Sequence, residues 1–98
     1  MKTVFPANRT PAGFENLQVT AIAAASPTPT IDDPQAMYIT VEDQSIRYRA
    51  DDIADPTTAL GHLVTAGQNI WFENPSAIRS FRAIALAGTA SLMITYYR

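Results

Sequence analysis

The chain has 98 residues, no cysteine and a formal charge of −2, with 47% hydrophobic and 16% charged residues. This length supports a single hydrophobic core, and the lack of cysteine excludes a disulfide framework or a thiolate metal site. The charged fraction is well below the roughly 25% of ordinary globular domains, so we expect a partner to cover part of the surface. No segment is basic enough to predict nucleic-acid binding. No apolar run approaches the roughly 18 residues of a membrane span, so no membrane is expected either.

The acidic residues are concentrated in the middle of the chain. Residues 32–55 carry seven acids against two arginines, a net charge of −5, whereas residues 1–31 carry +1 and residues 56–98 carry +2. Such opposite potentials favour edge-to-edge contact between identical subunits, although a solvated acidic loop is the plainer interpretation. The N-terminus MKTVFPANRT lacks the continuous apolar stretch of a signal peptide, so we expect synthesis in the cytoplasm.

Residues 1–17 are predicted to form an extended arm, followed by one domain over residues 18–98. Prolines in the arm exclude a regular helix and leave few donors for a central strand. Phe5 and Phe14 are too apolar for a purely solvated tail. We therefore expect either the domain itself or a neighbouring subunit to bury them.

The next part of the chain alternates predicted strands with turns. Residues 18–25 begin with alternation and are interpreted as a strand, with a helix left open by their alanines. Three prolines make residues 26–34 a loop. Residues 36–42 alternate strictly and are rich in β-branched and aromatic side chains, which predicts a strand. Residues 45–50 alternate again after a short polar connection, and this spacing favours a β-hairpin.

Residues 51–67 form a predicted loop, with acidic residues, a proline and two glycines. Three apolar side chains of this loop are expected to hold it against the core: Leu60, Leu63 and Val64. Residues 69–74 are a predicted strand in which Trp71 opposes apolar neighbours across the pleat. Because both faces of that strand are apolar, we expect it to be central in a sandwich or covered by another subunit.

Asn74 and Pro75 can cap and begin one helical turn, although direct entry into a strand is the favoured interpretation. Residues 82–88 and 90–98 alternate on either side of a Gly-Thr turn, which predicts a C-terminal hairpin. The count is six or seven short strands. The sequence therefore predicts an all-β fold, a small antiparallel β-sandwich or jelly-roll-like domain with little or no helix.

No catalytic apparatus is visible in the sequence. His62 is the one histidine, there is no cysteine nucleophile, and no serine lies in a Gly-x-Ser-x-Gly elbow. Counting carboxylates does not exclude a glycosidase pair, but so short a chain has little room for a substrate cleft beside its core. The glycines do not form a phosphate-binding loop. We expect no enzymatic activity and no cofactor.

Two clusters of side chains could bind a ligand. Asp51, Asp52 and Asp55 offer oxygens for a calcium ion, but their spacing departs from an EF-hand loop, so turn and capping roles are favoured and no metal is expected. Five aromatic residues could form a sugar-stacking platform, although aromatics that alternate along strands usually serve the core or an interface. They are Tyr38, Tyr48, Trp71, Tyr96 and Tyr97.

The stretches RYRADDIADPTTALGHLVTAGQNIWF and FRAIALAGTASLMITYYR resemble a group of small proteins of tailed bacteriophages. The resemblance covers roughly residues 36–98. It is carried by a Tyr-Arg strand, an Asp-Pro-Thr loop, a Leu-x-x-x-Gly element and an aliphatic strand ending in Thr-Tyr-Tyr. Here these elements are Tyr48, Arg49, Asp55, Pro56, Thr57, Gly61, Leu63, Gly67, Thr95, Tyr96 and Tyr97. The chain departs from the pattern at Ile53 and Ala54, where a glycine-containing turn often lies.

The resemblance implies a virion structural protein, most simply a capsid decoration or cement protein that works in the virion. Its expected partners are other copies of itself, with a trimer favoured, and the major capsid protein or another virion protein. The expected interface residues are Phe5, Phe14, Trp71, Tyr96 and Tyr97. Two alternatives are a head-fibre base or tail adaptor, and a carbohydrate-binding β module that uses the aromatic side chains.

Overall fold

The structure of the chain is a computed structural model that describes residues 10–98. Its elements in chain order are β1 (Pro11–Thr20), β2 (Ala36–Glu42), β3 (Ile46–Arg49), β4 (His62–Val64), β5 (Asn69–Phe72), α1 (Pro75–Ser80), β6 (Arg82–Ala85) and β7 (Thr89–Tyr97). A four-stranded sheet has the order β1-β7-β2-β5, and a three-stranded sheet has the order β4-β3-β6. All pairings are antiparallel. The predicted all-β sandwich is confirmed.

The core lies between the two sheets and follows from the alternation along each strand. Met37, Ile39 and Val41 of β2 are fully buried, and the β7 side chains paired with them face the same way. The three-stranded sheet contributes Ile46 and the alanines of β6 from the opposite side. The apolar area removed from water between these faces is the main stabilising term of the fold.

The predicted hairpins are wrong in both places. β2 and β3 lie in different sheets, and so do β6 and β7. Each connection crosses the sandwich, so the strands face each other through the core instead of pairing side by side. The alternation is the same in the two arrangements, because each strand buries one face in either case.

β1 runs through the predicted boundary between residues 17 and 18. It pairs with β7 from Pro11 to Thr20 at the edge of the four-stranded sheet. The predicted strand over residues 18–25 is therefore correct only for its first three residues, and the chain bends after Thr20 before a single bridge from Ala25 to Ala83. An edge position suits β1 because Pro11 cannot donate a hydrogen bond to a second neighbour.

β5 is also an edge strand, so its two apolar faces do not reflect a central position. Ile70 and Phe72 pack against the core from the inner face, and Trp71 lies on the outer face opposite Tyr38. The predicted loop over residues 51–67 contains β4, a short strand that sequence alternation does not reveal in only three residues. Val64 is buried there, whereas Leu60 and Leu63 are exposed.

α1 is the short helix that the sequence allows at Asn74 and Pro75, in which Asn74 is the N-cap. The Asn74 side chain accepts a hydrogen bond from the Ser76 amide at 2.8 Å, and Pro75 occupies the first turn. Ile78 is the residue by which α1 contacts the core. Within residues 10–98, no helix combines the length and the apolar character that crossing a bilayer requires.

Candidate interaction sites

One row of side chains crosses all four strands on the outer face of the larger sheet. Strand register aligns Phe14 of β1, Thr95 of β7, Tyr38 of β2 and Trp71 of β5. The Tyr38 and Trp71 rings are 4.8 Å apart, and Trp71 lies 5.5 Å from the Tyr97 ring. We call the four aromatic residues and the threonine between them the aromatic face: Phe14, Tyr38, Trp71, Thr95 and Tyr97. Centroid separations of this size are typical of favourable aromatic pairs.

The aromatic face is uncharged and partly exposed. Phe14 is 58% exposed, and Tyr38 and Trp71 are half-buried. The next row along the strands has no charged side chain either: it consists of Asn16, Met93, Thr40 and Asn69. Apolar and aromatic side chains with few charges are typical of the centre of a protein interface.

The predicted interface residues fall in different places. Phe14 and Trp71 lie on the aromatic face, and Tyr97 lies beside Trp71 but is only 3% exposed. Burial is the main reason why the pKa of Tyr97 is raised. Phe5 lies outside the described residues.

Tyr96 requires a correction, because it belongs to the core. It is fully buried on the inner face of β7, and its hydroxyl donates to the Glu15 carboxylate at 2.6 Å. Burial, followed by this hydrogen bond and the negative charge of Glu15, raises the pKa of the Tyr96 hydroxyl. The same carboxylate accepts the Thr28 amide at 2.9 and 3.1 Å. Tyr96 therefore links three parts of the fold and offers no surface to a partner.

Two arginines of the three-stranded sheet pair with the three aspartates of the acidic loop and offset part of its charge. Arg49 donates from Nε and Nη2 to Asp51, at 3.1 and 2.5 Å. Arg82 contacts Asp52 at 3.5 Å and Asp55 at 3.3 Å. The pKa of Asp51 is lowered, first by its hydrogen bonds from Arg49 and second by the hydrogen bond from the Ile53 amide. The aspartates are visible in the sequence, but the sequence does not indicate which arginine side chains form ion pairs with them.

Arg47 fixes the course of the same loop from the outer face of β3. Its Nε donates to the Thr58 carbonyl at 3.1 Å and its Nη1 to the Gly61 carbonyl at 3.0 Å. Gly61 has a φ of +135°, and a Cβ there would lie 3.1 Å from the Tyr48 carbonyl oxygen. Both the backbone angle and the lack of space favour glycine at this position.

A cation site in the loop gains no support from this arrangement. Asp51, Asp52 and Asp55 turn toward different arginine nitrogens instead of converging on one point. In the part of the chain that the structure describes, no three His, Asp or Glu side chains group closely enough to hold a metal ion. The loop chemistry is that of ion pairs and turns.

A cleft opens on the side of the sandwich where the edge strands β4 and β5 lie. It consists of two adjoining hollows of about 750 and 620 Å³, and Tyr48 and His62 line both. The larger hollow is also lined by Arg49, Asp51 and Phe72. We call the two hollows together the lateral cleft.

The floor of the lateral cleft is an aromatic cluster. The Tyr48 ring stacks on Phe81 with centroids 5.4 Å apart, and its edge meets Phe72 at 5.7 Å. His62 lies 5.2 Å from Tyr48 and is exposed. The sequence separates Tyr48 from His62 by an acidic loop, and only the pairing of β3 with β4 brings them together. The sequence analysis places Tyr48 in a possible sugar-stacking platform without His62, and the spacing of the two residues carries no signal that they meet.

Comparisons with protein-family models, with curated proteins and with solved structures gave no match.

Proposed function

We propose that this chain is a structural protein of a bacteriophage virion, a decoration or cement protein that binds the head lattice as a symmetric oligomer. The observation that carries the proposal is the aromatic face, an uncharged strip with Phe14 at one edge and Trp71 at the other. The sequence resemblance supplies the virion context. Neither a catalytic residue nor a cofactor is part of the proposal.

The arrangement of the face suits multivalent attachment. Phe14 lies on the edge strand β1 and Trp71 on the edge strand β5, with Tyr38 on β2 beside Trp71, so one face can contact a neighbouring subunit and the lattice at the same time. A modest patch on each subunit gives strong overall binding when several subunits are held in a ring. Buried aromatic side chains supply much of the binding energy in interfaces of this kind.

Oligomeric state and head binding test the proposal together. Light scattering on the purified chain is expected to give a trimer, and mixing with expanded and unexpanded heads is expected to give co-sedimentation with at least one form. A monomer that binds neither form would contradict the proposal. Co-sedimentation with tails alone would instead support the tail-adaptor alternative.

Matched variants locate the contact. Phe14→Ser and Trp71→Ala are each expected to weaken head binding at least about tenfold, since central aromatic anchors often contribute 2 kcal/mol or more. Ile22→Ser is the control, because Ile22 is 92% exposed but lies in the bend after β1, away from the aromatic face. Equal effects of all three variants would argue against the aromatic face as the contact surface.

Phe5 is an expected interface residue in the N-terminal arm, and a deletion that ends before β1 tests whether the arm contributes to head binding. β1 begins at Pro11, and Glu15 binds Tyr96 and Thr28, so removal of residues 1–15 would damage the fold itself. Deletion of residues 1–9 leaves β1 intact. We expect this deletion to reduce head binding, and the circular dichroism spectrum of the shortened chain checks that the two sheets are retained.

A further inference from the structure

The lateral cleft has the dimensions of a ligand site and is separate from the aromatic face. Its hollows of about 750 and 620 Å³ are each within the roughly 300–1,000 Å³ range of small-molecule sites. Tyr48 and His62 face into the cleft from the three-stranded sheet, whereas the aromatic face lies on the outer side of the other sheet. A ligand in the cleft would therefore leave the proposed head-binding surface free.

Charge in the cleft favours a neutral ligand. Arg49 and Asp51 are the charged side chains that line the larger hollow, and two hydrogen bonds pair them with each other. The smaller hollow has no charged lining among the described residues. An anionic ligand would have to separate Arg49 from Asp51, and a cationic ligand would have to compete with Arg49.

The remaining polar groups in the cleft suit hydroxyl groups. The Arg49–Asp51 pair places N–H donors next to a carboxylate acceptor, as two neighbouring hydroxyls require. In the smaller hollow, Gln68 uses its Oε1 to accept the Thr65 amide, which leaves its NH₂ group to donate outward.

The aromatic lining supplies a surface for the apolar face of a sugar ring. His62 is exposed, and its ring contacts the Tyr48 ring. Tyr48 in turn packs against Phe81 and Phe72. A rigid ring flanked by neutral hydrogen-bonding groups can contact both the C–H face and the hydroxyl groups of a sugar. Two adjoining hollows provide room for more than one sugar unit.

An added peptide strand fits the cleft less well. The strands that border it are short, three residues in β4 and four in β5. Main-chain hydrogen bonds provide most of the affinity when a peptide strand is added to a sheet. Strands this short would form only a few such bonds, which would contribute little affinity. We propose that the lateral cleft is a binding site for a neutral oligosaccharide.

A glycan array tests this proposal. The fluorescently labelled full chain would be applied to immobilised neutral hexose and N-acetylhexosamine oligosaccharides, alongside sialylated ones. We expect selective signal on one class of neutral glycan. No signal on any neutral glycan, or signal on sialylated glycans alone, would overturn the proposal.

Variants on the same array place the site. His62→Ala and Tyr48→Phe are expected to reduce the signal at least about fivefold, as loss of a stacking partner or a hydroxyl contact does. Trp71→Ala and Tyr38→Phe are the matched controls on the aromatic face and should keep the signal. Loss with the Trp71 variant and retention with the His62 variant would move sugar binding to the aromatic face and overturn the cleft site.

Co-sedimentation with heads distinguishes a failure of the cleft proposal from a failure of the proposed virion function. His62→Ala leaves the aromatic face unchanged, so co-sedimentation with heads should be that of the unsubstituted chain. Glycan signal without head binding would contradict only the virion proposal, whereas head binding without glycan signal would contradict only the cleft.

Discussion

The two lateral sides of the sandwich, where the edge strands lie, differ in whether a segment of the chain covers the gap between the sheets. On the side of β1 and β6, residues 25–31 cross from one sheet to the other and close the gap. Ala25 exchanges two backbone hydrogen bonds with Ala83 of β6, at 2.8 and 3.0 Å, and Thr28 donates to Glu15 of β1. We call residues 25–31 the closing segment.

The side of β4 and β5 has no corresponding cover within residues 10–98. The lateral cleft lies there, with the exposed side chains of Leu60, His62 and Leu63 around it. The closed side uses a partly buried polar link, from Glu15 to Tyr96 and Thr28, to join its elements, whereas the open side keeps polar and aromatic groups available. The difference indicates that the first side is closed by long-range hydrogen bonds, whereas the second side has a buried aromatic floor and leaves room for ligand contact.

The largest expected effect concerns the floor of the open side. Phe81 is fully buried between Tyr48 and Phe72. Phe81→Ala should lower the free energy of unfolding by about 3–5 kcal/mol, because it removes a large core ring and leaves a cavity. Urea denaturation followed by fluorescence measures this change, with Phe14→Ala as the exposed control. A change below about 1 kcal/mol would show that the cleft floor is not part of the core.

The second prediction breaks the link on the closed side. Glu15→Ala should cost about 1–3 kcal/mol, since it leaves the buried Tyr96 hydroxyl without its acceptor. Glu42→Ala removes an exposed carboxylate at the end of β2 and should change stability by less than about 0.5 kcal/mol. Equal results for the two variants, again by urea denaturation, would mean that the polar link contributes nothing specific.

The third prediction concerns the close approach of the closing segment to β1. A Cβ on Gly13 would lie 2.3 Å from the Thr30 hydroxyl oxygen and 2.9 Å from Ile31 Cγ2. Gly13→Ala should cost about 1 kcal/mol, because over-packing exceeds the gain from replacing a strand glycine. The penalty should shrink in a Thr30→Ala background. A stabilised Gly13→Ala variant would show that the closing segment moves away without cost.

The contrast between the two sides also shows what the sequence could predict. Alternation in residues 36–42 and the three prolines of residues 26–34 determine local structure, and both predictions are correct. Alternation does not decide which sheet a strand joins, so both hairpins were predicted wrongly. The closing segment is held by Ala25 on Ala83 and by Thr28 on Glu15, and Glu15 in turn contacts Tyr96, 81 residues away; no local pattern indicates these contacts.

The candidate sites were predictable to different degrees. The apolar faces of residues 69–74 predict a central strand or one covered by another subunit, whereas Trp71 lies on an edge strand; its partner Tyr38 follows once β2 and β5 are paired. Tyr96 is in phase with Leu92 and Ile94 along β7, so alternation indicates its buried position, and naming it as an interface residue disregarded that pattern. The lateral cleft depends on the three-residue strand β4, which is too short to produce a periodic signal.

The fourth prediction uses pH to report on the closed side. The pKa of Tyr96 is raised in the folded chain, so at high pH the unfolded chain loses this proton first and stability falls as pH rises above about 10. Tyr96→Phe removes this contribution. The stability difference between the original chain and the variant should shrink by up to about 0.8 kcal/mol between pH 8 and pH 10.5. A difference that stays constant in urea titrations would contradict the buried position of the hydroxyl.

The smallest effects are expected on the open side. Leu63 is 50% exposed and His62 is exposed, so Leu63→Ser and His62→Ala should each change the unfolding free energy by less than about 0.5 kcal/mol. Val64→Ala, next along β4, is the buried comparison and should cost distinctly more, because its side chain belongs to the core. Thermal unfolding of the three variants measures the contrast. A large loss for His62→Ala would mean that the imidazole holds β3 and β4 together, and any loss of glycan signal in that variant would then reflect the fold instead of a contact in the cleft.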